Sequence, residues 1–127
     1  MTGLDTNVLA RYLLRDDPAQ AARAAQELER DDRFFIGAIV LCELVWVLET
    51  GYAFERSDIA AAVEKILATA QFEIEDKDLA LSALQDFRRT LADFSDCLIW
   101  RRNRAAGVVE TLTFDRTLKG LEGFRLL

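Results

Sequence analysis

The chain contains no histidine, and it has only two cysteines and one proline. Without histidine, neither Ser-His-Asp nor Cys-His catalysis can be assembled, and a His-ligated zinc site is excluded. Two cysteines are too few for a Cys-rich zinc site or a disulfide framework. Cys42 and Cys97 each lie in an apolar run and are expected to be free thiols, as in a reducing cytoplasm. Long apolar runs are missing too. The longest, Ala38–Cys42 and Leu44–Leu48, are split by Glu43 and are far too short for a membrane span. The segment Met1–Asp5 has no basic region and no long apolar stretch, so it does not read as a signal peptide. Basic residues are outnumbered 16 to 22, giving a net charge of −6, and no basic tail announces nucleic acid. The acidic excess does not exclude it, because a metal site would use some of those carboxylates. GxGxxG, P-loop and nucleophile-elbow motifs are absent.

What is present is a chain of 127 residues, 51% apolar, enough for one domain over 1–127 with one core. Short strands alternate with helices. A strand at residues 2–4 stops at Asp5, and Asn7–Arg15 reads as a helix with Val8, Leu9, Tyr12 and Leu13 on one face. Asp17 and Pro18 restart a polar, alanine-rich helix that runs to about Arg30. Phe34–Ile36 reads as a buried strand. Ala38–Glu49 is a helix apolar almost all round, which predicts a central position. Ser57 is the expected cap of the next helix, and Phe72–Glu75 the next strand. Ala80, Leu84, Phe87 and Leu91 mark a further helix. Asp93 caps another that runs to Gly107. Glu110–Phe114 and Phe124–Leu126 are the last strands, with one helical turn around Asp115–Lys119. This alternation predicts an α/β fold with a mainly parallel sheet, in which ligands sit beyond the carboxyl ends of the strands.

Acidic residues stand at those places. Asp5 closes the first strand and Asp115 the fourth, while Asp93 and Asp96 open the helix before the fourth strand. Each also has a purely structural role open to it. Asp5 suits an N-cap, Asp93 and Asp96 suit a capping pair, and Asp115 suits the start of a turn. Glu43 lies among Ile39, Val40, Trp46 and Val47, where an ionised carboxylate is expected to need a buried Arg or a metal ion. Converging carboxylates suit a hard divalent cation such as Mg²⁺ or Mn²⁺, which can activate water and clamp a phosphate.

At these residues the sequence resembles a known family. Leu4-Asp5-Thr6-Asn7-Val8-Leu9, the helix from Val40 through Glu43 to Leu48, Ala92-Asp93-Phe94-Ser95-Asp96-Cys97-Leu98-Ile99 and Leu112-Thr113-Phe114-Asp115 look like the ordered motifs of PIN-domain ribonucleases. Among these they are most similar to the VapC-type toxins of bacterial toxin–antitoxin modules. The resemblance implies a three-layer α/β/α, flavodoxin-like fold and Mg²⁺- or Mn²⁺-dependent RNA endonuclease activity. It also implies a cytoplasmic homodimer neutralised by a cognate VapB-type antitoxin. Carried over residue by residue, the catalytic and metal-binding quartet is Asp5, Glu43, Asp96 and Asp115, with Asp93 as the alternative third acid. Thr6, Asn7 and Thr113 match accessory polar positions. Trp100 departs from the family, which usually has a small residue there.

Arg101, Arg102 and Arg104 follow Asp96 on its helix, and Arg116 and Lys119 follow Asp115. They are candidates for holding RNA phosphates, against the alternative of a solvated face. Phe34, Phe35, Phe87 and Phe94 are expected in the core rather than as stacking platforms. Two rival readings share the acidic residues. A receiver-like Mg²⁺-binding signalling domain would want adjacent carboxylates after the first strand, and here Asp5 stands alone. A catalytically silent PIN-like interaction module would not need the full quartet.

Overall fold

Three short parallel strands organise the first part of the chain. β1 (Thr2–Gly3) pairs with β2 (Phe34–Ile36), which pairs with β3 (Phe72–Ile74), in that spatial order. The computed structural model describes residues 1–30 and 33–127. By its internal contacts the chain divides into two compact units, Met1–Lys77 and Asp78–Leu127.

In the first unit each strand feeds a helix. β1 leads into α1 (Thr6–Leu14), whose N-terminus is capped by Asp5: Oδ1 accepts from the Val8 N–H at 3.0 Å. α2 (Pro18–Arg30) starts as expected, with Asp17 accepting from the Gln20 N–H and Pro18 at the first helical position. β2 leads into α3 (Ala38–Gly51), followed by α4 (Arg56–Ala68). α1 packs on α2 and α3, and α3 on α4. Leu9, Phe34, Ile36, Leu41, Leu44, Leu48, Ile59 and Ile66 are buried here. The cap of α4 is Glu55 rather than Ser57. Asp58 at the third helical position accepts from the Glu55 N–H at 3.3 Å, a reciprocal box that Ser57, already the second residue of the helix, cannot form as its cap.

α3 departs from its sequence reading. Leu41, Leu44, Val45 and Leu48 are buried, but one stripe is open: Ile39 is 75% and Trp46 65% exposed, and Glu43 lies exposed between them. The helix is therefore not central, and Glu43 does not carry the burial penalty that its apolar neighbours suggested. Phe35 is exposed as well, on the face of β2 opposite Phe34 and Ile36.

The second unit opens with α5 (Lys77–Arg89), which begins at the boundary between the two units. α5 stops before Leu91, which is exposed. The Thr90 hydroxyl donates to the Asp86 carbonyl and accepts from the Ala92 N–H, turning the chain out of the helix. α6 (Phe94–Ala105) follows, and Gly107 takes the left-handed conformation just past its end, φ +89°. β4 (Thr111–Thr113), a 3-10 turn at Arg116–Leu118 and β5 (Phe124–Leu126) complete the unit, with β4 and β5 parallel. Phe87 and Phe94 meet edge to face, their centroids 6.2 Å apart, in its core. Trp100 is buried against Phe124 and lies under Gly123, whose φ is +87°. A Cβ at residue 123 would come 2.2 Å from the indole, so glycine is required there twice over. All the strand pairings are parallel, as the α/β reading expects. Both cysteines are free; Cys97 is buried and Cys42 half-buried.

Candidate functional site

The acids of the first unit stand where the strands end. The Leu4 N–H donates to the Phe35 carbonyl, so the exits of β1 and β2 lie together, one leading to Asp5 and the other to α3. Asp5 is exposed, and one of its oxygens caps α1. The capping role and a site role are compatible, because a carboxylate has further lone pairs to offer. The next residue, Thr6, donates its hydroxyl to Glu43 Oε1 at 3.3 Å, so this unit brings Thr6 and Glu43 together directly. Asn7 is exposed in the first turn of α1.

α3 itself is anchored by a residue that no local sequence pattern singles out. Gly37, at its N-cap, has no side chain to offer the helix. Glu75, just past β3, supplies one instead: its Oε1 accepts from the Ala38 N–H at 3.0 Å. The negative charge also suits the positive end of the helix. No spacing rule connects residue 75 to residue 38; only the parallel pairing of β2 with β3 does.

In the second unit, Asp93 holds the N-cap position of α6, yet its side chain makes no cap hydrogen bond. The expected capping pair of Asp93 and Asp96 is thus not formed. Asp96, in the first turn, is half-buried. Its carboxyl is pushed above the ordinary carboxylate range, first by burial, then by the charges of Asp93 and Asp115. Asp115 is set the other way. Its Oδ1 accepts from the Thr117 hydroxyl at 2.7 Å and from the Thr117 N–H at 2.9 Å, which holds its carboxyl below the usual range. Thr113 also has a definite task, since its hydroxyl oxygen accepts from the Asp115 N–H at 3.0 Å. Thr117 was not singled out from the sequence. The signal was there in Asp115-Arg-Thr117, the spacing of an acidic residue that caps a turn.

Asp96 therefore feels the charges of Asp93 and Asp115 within one unit. Among the described residues no group of three or more acidic or cysteine side chains lies close enough together to hold a metal ion by itself. The oxygen-only donors nevertheless fit a hard divalent cation, whose charge would offset the burial and the neighbouring negative charge that raise Asp96.

The basic candidates divide. Arg101 grips Asp86 of α5 with two hydrogen bonds, 2.6 and 2.8 Å long, and is part-buried, so it ties α6 to α5 rather than standing as a solvated face. Arg104 lies over the Trp100 ring at 5.4 Å and pairs with Glu122 at 3.5 Å. Arg102, Arg116 and Lys119 are exposed. Trp100 itself is committed to packing under Gly123.

Comparison with known proteins gives two findings. The family model of the PIN domain matches residues 4–122. A relative named VapC ribonuclease, from Aquifex aeolicus (strain VF5), is 33% identical over 125 residues, covering 96% of this chain and 92% of its own length. The match includes the strand ends that carry Asp5 and Asp115 and the helices that carry Glu43 and Asp96. On both findings the chain belongs to the PIN-domain family and is of the VapC type, with the α/β/α fold of that family.

Proposed function

We propose that this protein is an RNA endonuclease dependent on Mg²⁺ or Mn²⁺, the toxin of a toxin–antitoxin module. It acts as a cytoplasmic homodimer and is neutralised by a VapB-type antitoxin. RNA as substrate rests on the likeness to the VapC ribonuclease over nearly the whole of both chains. What supports the metal is a half-buried Asp96 whose carboxyl is raised by burial and then by the charges of Asp93 and Asp115, in a chain whose donors there are oxygens and not histidine nitrogens. No helix among the described residues is long and apolar enough to cross a membrane. The open stripe of Ile39 and Trp46 on α3 supports a surface for protein partners. Residues 1–127 are read as one functional domain, since the family match runs across both compact units.

Asp5, Glu43 and Asp96 would hold the ion, with Asp115 as a further ligand or as a carboxylate behind it. When bound, such an ion supplies positive charge and Lewis acidity toward a phosphodiester. The chain's own residues prepare for that. Asp5 is fixed by the Val8 N–H, and Glu43 is oriented by the Thr6 hydroxyl. Thr117 keeps Asp115 ionised well below neutral pH, so this acid is charged whether or not an ion is present. Asp96 is pushed the other way, by burial and by the charges of Asp93 and Asp115. With no histidine available, the departing oxygen takes its proton from water.

Purified protein is expected to cleave a structured RNA in Mg²⁺ or Mn²⁺ and to stop in EDTA. Asp5→Asn and Asp96→Asn should each reduce cleavage by about a hundredfold or more, as when a group that stabilises developing charge is lost. Undiminished cleavage in EDTA would overturn the metal assignment.

A further inference from the structure

A groove of about 410 Å³ runs between α1 and α2, lined by Asp5, Asn7, Arg11, Arg23, Gln26 and Glu27 among others. Its size lies in the range of small-ligand pockets, roughly 300–1,000 Å³. Its charges are unevenly committed. Arg11 is held by Asp16 at 3.1 Å and by Gln20 at 2.7 Å, and Glu27 is held by Arg30 at 3.1 Å. Among the described residues, Arg23 is the one cation lining the groove that no carboxylate holds. Beside it the amides of Asn7 and Gln26 offer both donors and acceptors, which suits the edge of a base. Val8 contributes a partly exposed apolar wall.

We infer that this groove binds one nucleotide of the single-stranded RNA next to the cleaved bond, with its phosphate on Arg23 and its base edge on Asn7 and Gln26. The inference rests on the ribonuclease reading and adds a substrate-binding residue to it. Asp5 is the reason for choosing RNA over a protein segment. The groove starts at Asp5, a carboxylate of the proposed site, so a strand whose scissile phosphate lies at that site has its neighbouring nucleotide within reach. A guanidinium beside two amides is the donor set for a phosphate and a base edge.

The test uses Arg23→Gln, which keeps the helix propensity of the site. Lys65→Gln on α4 removes the same charge away from the groove. A fluorescent single-stranded oligoribonucleotide of mixed sequence is titrated in EDTA at several salt concentrations, and cleavage kinetics are measured in Mn²⁺. For Arg23→Gln the expected result is a Kd and KM raised about fivefold to tenfold with kcat unchanged. The slope of log Kd against log salt should fall by about 0.7, one phosphate contact on a single strand. Lys65→Gln should match wild type in all three. If wild type binds and cleaves RNA while Arg23→Gln behaves like Lys65→Gln, the groove assignment is overturned and the ribonuclease reading stands. If antitoxin affinity falls in Arg23→Gln while RNA binding does not, the occupant is a protein segment and the assignment is equally overturned. If wild type neither binds nor cleaves RNA, the ribonuclease reading fails first and takes the groove with it.

Discussion

The second unit holds an acid that its surroundings oppose, whereas Asp5 and Glu43 of the first unit are met by donors, as Asp115 is by Thr117. In Met1–Lys77, Asp5 and Glu43 are exposed and each is met by a donor, the Val8 N–H for one and the Thr6 hydroxyl for the other. In Asp78–Leu127, Asp96 is half-buried and is met by more negative charge, from Asp93 and Asp115. Acids of the first kind contribute to stability through the hydrogen bonds they accept. An acid of the second kind detracts from it until something positive arrives. The acids proposed for the site thus include residues that their own unit welcomes and one that its unit tolerates.

The contrast extends to what holds the helices behind the acids, and the largest expected effect tests that. α6 is tied to α5 by the part-buried, bidentate Arg101–Asp86 pair. Arg101→Met leaves Asp86 without its partner and should lower stability by about 2 kcal/mol, less than for a fully buried pair because both side chains keep some exposure. Chemical denaturation measures it. If Arg101→Met leaves stability unchanged and instead weakens RNA binding, Arg101 is a phosphate contact and not a tether.

A smaller effect is expected at Asp5. Asp5→Ala removes the cap of α1 and should cost about 1 kcal/mol, whereas Asp5→Asn, an equally good cap, should cost only a few tenths. Both should reduce cleavage by about a hundredfold or more. Equal loss of stability in the two variants would mean that the Val8 hydrogen bond contributes little and that the first unit does not welcome its acid after all.

The smallest effect has the opposite sign. At neutral pH in EDTA, Asp96→Asn removes a charge that burial and two acids oppose, so the variant should melt slightly higher than wild type. The gain should be under about 1 kcal/mol once solvent screening is allowed for. Because the folded state raises the Asp96 carboxyl, wild type takes up a proton more readily folded than unfolded. The stability lost to the ionised group is recovered as pH falls through that raised value, so the gap between the two melting curves should close toward acid. A gap that widened instead would place an unseen favourable partner on Asp96.

Much of this was legible from local pattern. Strand ends at Asp5 and near Asp115, the Asp17–Pro18 restart and Gly107 past α6 follow from rules that act within a few residues. The four motifs in order were enough to suggest the family. What failed was inference about burial. An apolar stretch with one acid reads as a core helix, but Ile39 and Trp46 are open beside Glu43, and sequence cannot tell a face that packs inside from one left for a partner. Arg101 was set beside Arg102 and Arg104 because they are adjacent in sequence, while its true partner, Asp86, belongs to another helix. Glu75 and Ala38 likewise meet only through strand pairing.

That last contact makes α3 a lever with its pivot at Ala38. Glu43 rides five residues along the helix, about 7.5 Å from the pivot at about 1.5 Å per residue. A tilt of about 10° at the Glu75 clasp would therefore swing the Glu43 carboxylate by about 1.3 Å. Displacements of that order are enough to change a reaction rate about a hundredfold. Glu75 would thus set the aim of a carboxylate proposed to hold the ion, and any force that slides β3 along β2 would be read out along the helix.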